Sequence, residues 1–152
     1  MGYKYDRGEL LDAAVDAVLD DGIGQLTFGR LSKRVGINDR SIVYYFPTKR
    51  DLVTEVVVAL GARFQSVLDD AFGDDDLDAT EVVRRAWPVV TAPDADPVFR
   101  IYFELVGLAA AGVEPVDELT PSLVDHWISW LSQRVAGASD SERRERATAA
   151  VA

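Results

Sequence analysis

The sequence has no cysteine, and His126 is the only histidine among its 152 residues. Without thiolates, the chain has no disulfide bonds, no cysteine metal ligands and no cysteine nucleophile. A lone histidine makes a poor metal site and a poor catalytic dyad. We also find no glycine-rich phosphate loop, no nucleophile elbow and no paired carboxylates. The sequence therefore predicts no enzymatic activity, no bound metal and no cofactor.

Long apolar runs are missing as well. No run of eighteen apolar residues is present, so we expect no membrane-spanning helix. The N-terminus, MGYKYDRGELL, lacks the apolar centre of a signal peptide, which predicts a cytoplasmic protein. Its Tyr3 and Lys4 are expected to fray, with DNA contact as the alternative. Apolar residues still make up 48% of the chain, enough for a packed core.

Acidic residues are scarce in one stretch only. Residues 25–50 carry six basic side chains and one acid, a net charge of +5, although the whole chain has a net charge of −10. Residues 1–50 have a net charge of +1 and residues 51–152 one of −11. Charges more than roughly 8–10 Å away are largely screened at physiological salt. The basic stretch can therefore bind an anionic partner, with the acidic remainder turned away from it.

The same basic stretch predicts two short helices joined by a tight turn. Thr27 is a good N-cap for the first helix, and Gly36 stands where a helix end needs a left-handed residue. Asn38 or Asp39 caps the second helix, and Pro47 ends it. Two helices joined in this way form a helix-turn-helix, whose second helix can enter a DNA major groove.

The stretch resembles the DNA-binding domain of the TetR family of bacterial one-component transcriptional regulators. Val43 stands where the family usually has a tyrosine, and Tyr45 where it usually has a histidine; Ser32 replaces a common alanine. The resemblance is carried by Arg7, Leu10, Leu11, Ala13, Ala14, Gly22, Thr27, Leu31, Gly36, Ile37, Tyr44, Phe46, Pro47, Lys49 and Leu52.

An all-α fold follows, with a three-helix head at residues 1–50 and a helical ligand-binding and dimerisation body at residues 51–152. A long helix, capped by Thr48 and reaching Phe72, joins the two. Later helices are expected at about 78–90, with Val83 and Trp87 inward, at 96–111, the most apolar and therefore central, and at 121–135. Ser141 is expected to cap the last helix. The resemblance implies an eighth and a ninth helix that form the dimer interface. The chain is therefore expected to be truncated at its C-terminus or to dimerise through another surface.

Side chains for DNA binding are taken from the turn and the second helix. Arg40 is the expected base reader, because arginine bonds in bidentate fashion to guanine. Ser41 can contact a base or a phosphate, and Val43 a thymine methyl. The phosphate contacts, which position without specifying, are expected from Thr27, Lys33, Tyr44, Tyr45 and Lys49. The complete predicted DNA-binding set is Thr27, Lys33, Asp39, Arg40, Ser41, Val43, Tyr44, Tyr45 and Lys49.

The resemblance also implies an effector pocket among the body helices, where aromatic residues are frequent. Such a pocket suits a hydrophobic or aromatic small molecule. The alternative for each aromatic residue is an ordinary place in the core. The candidates are Trp87, Phe99, Arg100, Tyr102, Phe103, Glu104, His126, Trp127 and Trp130.

These expectations combine into one function. The chain is interpreted as a ligand-responsive transcriptional regulator, most often a repressor, that binds a palindromic operator as a homodimer. The alternative is a helical protein-binding adaptor of the same fold that does not read DNA, as the residues at Val43 and Tyr45 and the acidic body could suggest.

Overall fold

The structure is a computed structural model that describes residues 5–74 and 76–151, so Tyr3 and Lys4 lie outside the described part. It is all-α, as predicted, and outside its helices the described residues form one isolated parallel β-bridge, between Leu77 and Val135. Short 3-10 turns occupy Ile23–Gln25 and Pro93–Ala95. The α-helices are α1 (Arg7–Asp21), α2 (Phe28–Val35), α3 (Asp39–Tyr45), α4 (Lys49–Phe72), α5 (Ala79–Val90), α6 (Asp96–Ala110), α7 (Val116–Ser132) and α8 (Asp140–Val151).

By packing, the chain divides into two compact units. The first unit comprises Met1–Ala62 and Pro97–Glu118, and the second comprises Arg63–Asp96 and Leu119–Ala152. The functional division at residue 50 is of a different kind and stays a prediction. Both α4 and α7 contribute residues to each unit, so the chain passes between the units within continuous helices.

The core of the first unit fixes the three N-terminal helices against the start of α4. Each helix contributes side chains with no exposed surface, and α6 adds Ile101. Burying a leucine or phenylalanine side chain contributes about 1.5–3 kcal/mol, so this cluster dominates the stability of the unit. Its fully buried members include Leu10, Val15, Val18, Leu31, Ile42, Phe46, Leu52 and Val56.

The second unit has its own core, built by α5, α8, the end of α4 and the end of α7. Leu77 joins the segment before α5 to the segment after α7, because its N–H donates to the Arg134 carbonyl and its carbonyl accepts from the Ala136 N–H, both at 2.8 Å. Its buried members are Leu68, Phe72, Leu77, Val82, Leu131, Val135 and Ala147.

Some expectations for the later helices were wrong. Ile101 is the only buried residue of α6, so its apolar composition does not make it central. On α5, the side chains of Val83 and Trp87 are 62% and 63% exposed instead of inward.

Two helix starts also differ from the predictions. α7 begins at Val116 and contains Pro121, where the sequence suggested a start. α8 is capped by Ser139, whose hydroxyl accepts from the Glu142 N–H at 3.2 Å, and not by Ser141.

Candidate nucleic-acid interface

Local hydrogen bonds build the turn between α2 and α3. The Thr27 hydroxyl accepts the Arg30 N–H at 3.1 Å and caps α2, as predicted. Gly36 ends α2 at φ 71° and ψ 36°, a left-handed conformation that favours glycine. Asn38, one of the two predicted candidates, caps α3 by accepting the Ser41 N–H at 3.0 Å. These contacts define where α3 begins.

Helix α3, the second helix of the predicted helix-turn-helix, has one buried and one exposed face. Ile42 and Phe46 have no exposed surface, whereas Val43 is 40% and Tyr44 68% exposed. Tyr45 is half-buried, and its ring lies edge-on to that of Tyr44 with centroids 5.1 Å apart. The exposed face can therefore present an apolar side chain and a phenol to a groove.

Ser41 and Asp39, two of the predicted contacts, lie at the start of α3. The Ser41 hydroxyl donates to Asn38 Oδ1 at 3.2 Å, so it already takes part in the cap. An Asp39 carboxylate oxygen lies 3.8 Å from the place where a Cβ on Gly29 would be. Asp39 thus packs against α2 and, in the first turn of α3, complements the helix dipole.

Ion pairs occupy several of the basic side chains of the first unit. Arg34 pairs with Asp20, and Arg50 pairs with Glu118. The hydrogen bond that each guanidinium donates to its acid raises the pKa of that guanidinium above its ordinary value. Both arginines remain cations at any relevant pH, so the pairs matter because they neutralise charge.

Other basic side chains are left exposed and form what we call the cationic set: Arg30, Lys33, Arg40 and Lys49. Within the described part of the chain, none of the four makes an ion pair within 4.0 Å. Arg30 and Lys33 lie on α2, Arg40 lies on α3, and Lys49 is the first residue of α4. The positive charge available to an anionic partner therefore comes from these residues.

Lys49 is held at a well-defined helix start. The Thr48 N–H donates to Asp51 Oδ2 at 2.9 Å, and the Asp51 N–H donates to the Thr48 hydroxyl at 3.0 Å. This reciprocal pair fixes the first turn of α4, as the predicted Thr48 cap requires. Since a helix N-terminus favours anions, Lys49 is placed where a phosphate is best received.

The predicted effector residues divide between the two units. Those on α6 all lie in the first unit, where Glu104 accepts the N–H groups of Ile23 and Gly24 at 3.0 and 2.8 Å. Arg100 donates to the carbonyl of Leu19. Phe99 is half-buried, whereas Tyr102 and Phe103 are 55% and 68% exposed. Glu104 and Arg100 thus attach α6 to the end of α1.

The remaining candidates lie in the second unit. The rings of Trp127 and Trp130 are 5.4 Å apart, and Phe64 packs on Trp127 with a centroid distance of 6.0 Å. His126 Nε2 is 3.4 Å from the Oε1 atom of Gln65. Trp87 lies on α5 and is largely exposed. His126, Trp127 and Trp130 are therefore neighbours on α7, next to the end of α4.

Gln65 was missed in the sequence analysis. Its side chain is 93% buried, and its Nε2 atom has no hydrogen-bond partner within the described residues. The signal that could have found it is its spacing, because residues 65, 68 and 72 share one face of α4 and the other two are apolar. An amide on that face must be buried.

The comparison with protein families bears on the N-terminal helices. Residues 10–56 match the family model described as bacterial regulatory proteins, tetR family. Residues 10–56 are therefore similar to the DNA-binding domain of that family. The resemblance predicted from sequence is confirmed for these residues. Among curated proteins, no sequence matches the chain.

Two solved structures share the fold of almost the whole chain. The crystal structure of SCO7518 from Streptomyces coelicolor A3(2), described as a candidate transcriptional regulator, is 23% identical with a TM-score of 0.68. That match covers 91% of this chain and 79% of SCO7518. The multidrug binding protein EbrR, complexed with imidazole, is 17% identical with a TM-score of 0.64, covering 96% of this chain and 89% of EbrR.

Residues 5–74 and 76–151 contain neither a membrane-spanning helix nor a metal-binding cluster. None of the helices described there is long and apolar enough to cross a membrane. Those residues also contain no group of three or more histidine, aspartate or glutamate side chains that could hold a metal ion.

Proposed function

We propose that the chain is a ligand-responsive repressor that binds a palindromic operator as a homodimer. The observation that carries this proposal is the cationic set beside the exposed face of α3. Side chains that neutralise phosphates supply most of the affinity for DNA, and the exposed face of a recognition helix supplies base contacts. Both features lie within the segment that matches the TetR family.

On DNA, α3 enters the major groove with Arg40 as the base reader. Arg40 is exposed and makes no ion pair within the described residues, so no internal partner has to be displaced. Thr27, Lys33 and Lys49 hold the flanking phosphates, with Tyr44 donating from the exposed face of α3. Two copies related by a two-fold axis place their recognition helices about 34–36 Å apart, on half-sites one helical turn apart.

An effector is received in the second unit beside Gln65. A buried amide N–H without a partner costs about 1–3 kcal/mol, which an acceptor atom on a ligand would recover. The neighbouring aromatic side chains, Phe64 and Trp127, favour a flat apolar ring. We therefore propose an aromatic effector that carries a hydrogen-bond acceptor, and the imidazole found with EbrR has both properties.

The response follows from the difference in effector affinity between two states. Gln65 lies on α4, and the first residue of the same helix is Lys49, about 24 Å away along the helix at 1.5 Å per residue. An effector that binds one arrangement of α4 better than another shifts the population towards it, by no more than its differential affinity. Repression is relieved when the favoured arrangement holds α3 away from its half-site.

A titration on DNA tests the first part of the proposal. Fluorescence anisotropy is measured on the promoter duplex beside the protein's own gene and on a scrambled duplex of equal composition, at 50–200 mM salt. We expect promoter binding to be tighter by about 10³-fold or more, and both affinities to fall with salt. Salt-insensitive binding, or none, would favour the protein-binding adaptor.

Tryptophan fluorescence tests the effector site, with imidazole and quinoline as probes. We expect saturable quenching in the full chain and its loss in Gln65→Met, which keeps the volume and removes the amide. The matched control is Gln133→Met, because Gln133 is exposed. Equal quenching in both variants would remove Gln65 from the site.

A further inference from the structure

Arg7 is the first residue of α1, a position that disfavours a cation. The N-terminus of a helix carries partial positive charge, so its first turn favours acids. The cap of α1 is complete without Arg7, because Glu9 donates its N–H to the Asp6 side chain and Asp6 donates its N–H to the Glu9 side chain, both at 2.8 Å. The local structure of α1 gives no reason for an arginine here, and a residue that breaks a local rule commonly serves a contact elsewhere.

The contacts of Arg7 lie on two other parts of the first unit. Its guanidinium carbon is 5.3 Å from the centre of the Phe46 ring, a cation–π distance. Its Nη2 atom donates to Glu55 Oε1 on α4. Phe46 directly follows the last residue of α3 and has no exposed surface, whereas 52% of the Arg7 side chain is exposed. The guanidinium therefore covers Phe46 from the solvent side and joins the end of α3 to α4.

Helix α3 depends on contacts of this kind because it is only seven residues long. Isolated helices shorter than about 12–15 residues are marginal in water, so tertiary contacts fix where such a helix lies. Asn38 and Asp39 fix the start of α3, through the cap and the contact with α2. At its other end, Pro47 and Thr48 lead directly into α4. Arg7 lies at this junction and contacts both of the segments that meet there.

The angle between α3 and α4 sets the distance between two kinds of DNA contact. Arg40 on α3 is the proposed base reader, and Lys49 at the start of α4 is a proposed phosphate contact. Glu55 lies about 9 Å beyond Lys49 along α4, at 1.5 Å per residue. A specific duplex requires base and phosphate contacts at one fixed spacing, whereas random DNA is held mainly through its phosphates. The arrangement of the two helices therefore matters more for specificity than for general affinity.

We propose that Arg7 is a positioning residue for DNA recognition, which holds the end of α3 at a fixed angle to α4 and does not itself contact DNA. The inference rests on the proposed function, in which α3 enters the major groove. An exposed ion pair contributes little by itself. Here Glu55 fixes the guanidinium over the Phe46 ring, so the two contacts act together and constrain two helices at once.

Arg7→Met in the full chain removes the charge and keeps a long side chain. Anisotropy titrations on the promoter duplex and its scrambled counterpart should show the preference for the promoter reduced about tenfold, comparable to the loss of one base contact. The slope of log affinity against log salt should stay as in the wild type. A slope lower by about 0.9 would make Arg7 a phosphate contact and overturn the proposal. The matched control is Arg84→Met, because Arg84 is 70% exposed on α5 and should change neither quantity.

Glu55→Gln separates the effect of position from the effect of charge. The variant makes the chain less acidic, which alone would raise affinity for every duplex. We still expect a reduced preference for the promoter, because the guanidinium of Arg7 is no longer held in place. The double variant should lose no more preference than Arg7→Met alone, since both changes remove one shared contact. Additive losses in the double variant would show that the two residues act separately and would overturn their shared role.

Hydrogen exchange followed by mass spectrometry tests the position of α3 without DNA. Arg7→Met should speed amide exchange in the peptide that covers α3 and leave the peptide that covers α2 unchanged. Unchanged exchange in α3 overturns the role of Arg7, and faster exchange throughout the chain makes Arg7 a general stability residue and overturns it too.

The proposed function can fail independently of this inference. A wild-type chain without preference for the promoter overturns the proposed function, and faster exchange in α3 of Arg7→Met then still shows that Arg7 holds that helix. A wild-type preference that Arg7→Met retains in full, with unchanged exchange, overturns the inference and leaves the proposed function intact.

Discussion

Six basic side chains lie between residues 25 and 50, and their contacts separate them into two groups. Arg34 and Arg50 are paired with acids, whereas the other four form the cationic set. The sequence predicted the positive stretch, but it could not predict which charges are neutralised. The partner acids, Asp20 and Glu118, are 14 and 68 residues away from their arginines and are brought near only by the packing of helices.

Lys49→Ala and Arg50→Ala should differ although the residues are adjacent. Each phosphate contact adds about 0.9 to the slope of log affinity against log salt, so losing Lys49 should lower the slope by about that amount. Arg50→Ala should leave the slope almost unchanged, because Glu118 already neutralises Arg50. Glu118→Gln should raise it by freeing Arg50. Anisotropy titrations on one duplex measure the salt slopes of all three variants. An equal decrease in slope for Lys49→Ala and Arg50→Ala would mean that Arg50 leaves Glu118 when the protein binds DNA.

Gln65→Met should stabilise the unliganded protein. The substitution removes a buried amide N–H that has no partner within the described residues. The bond it sacrifices, to His126, is long at 3.4 Å. We expect the free energy of unfolding to rise by about 1 kcal/mol, measured by urea denaturation. Gln133→Met, at an exposed position, should change it little; a decrease for Gln65→Met would show that the amide is satisfied by water.

At the scale of helices, the sequence predicted the helix boundaries and buried residues of the N-terminal half more fully than those of the C-terminal half. The caps at Thr27 and Thr48, the glycine at position 36 and the buried pair Ile42 and Phe46 follow from local rules. The burial of α6 does not. Apolar composition predicts that a helix packs against another surface, but it does not predict whether that surface belongs to the same chain. The outward orientation of α6 depends on Glu104 and Arg100, whose partners are about eighty residues away.

The stability of the first turn of α8 should depend on pH, because Glu142 lies in that turn. The Ala138 N–H and, next, Arg146 lower the pKa of its carboxyl group below the ordinary value. A lowered pKa stabilises the folded state above the unfolded pKa of about 4.3, and this contribution is lost as the pH falls through the folded value. We therefore expect Glu142→Gln to lower the thermal midpoint at pH 6 and to approach the wild type near pH 3. A difference independent of pH would show that the carboxylate charge does not matter.

For the whole molecule, DNA binding and self-association should respond to salt in opposite directions. DNA binding releases counterions from phosphates and weakens as salt rises. Self-association, which the proposed function requires, brings together two chains of net charge −10, and salt screens their repulsion. We expect the dimer dissociation constant to fall as salt rises from about 50 to about 300 mM. Sedimentation velocity at each salt concentration measures it, and a constant that rises with salt would indicate a contact made by ion pairs.

The two acids that neutralise Arg34 and Arg50 have an evolutionary consequence. Neither Asp20 nor Glu118 is among the residues proposed to touch DNA, yet each decides whether an arginine on the DNA-binding unit carries its charge outward. A single substitution at either acid therefore changes general affinity for DNA and leaves the base-reading side chains as they are. A regulator built in this way can adapt to operators of different strength, or to cells of different ionic strength. The substitutions that achieve this lie at the two acids, outside the residues proposed to contact DNA.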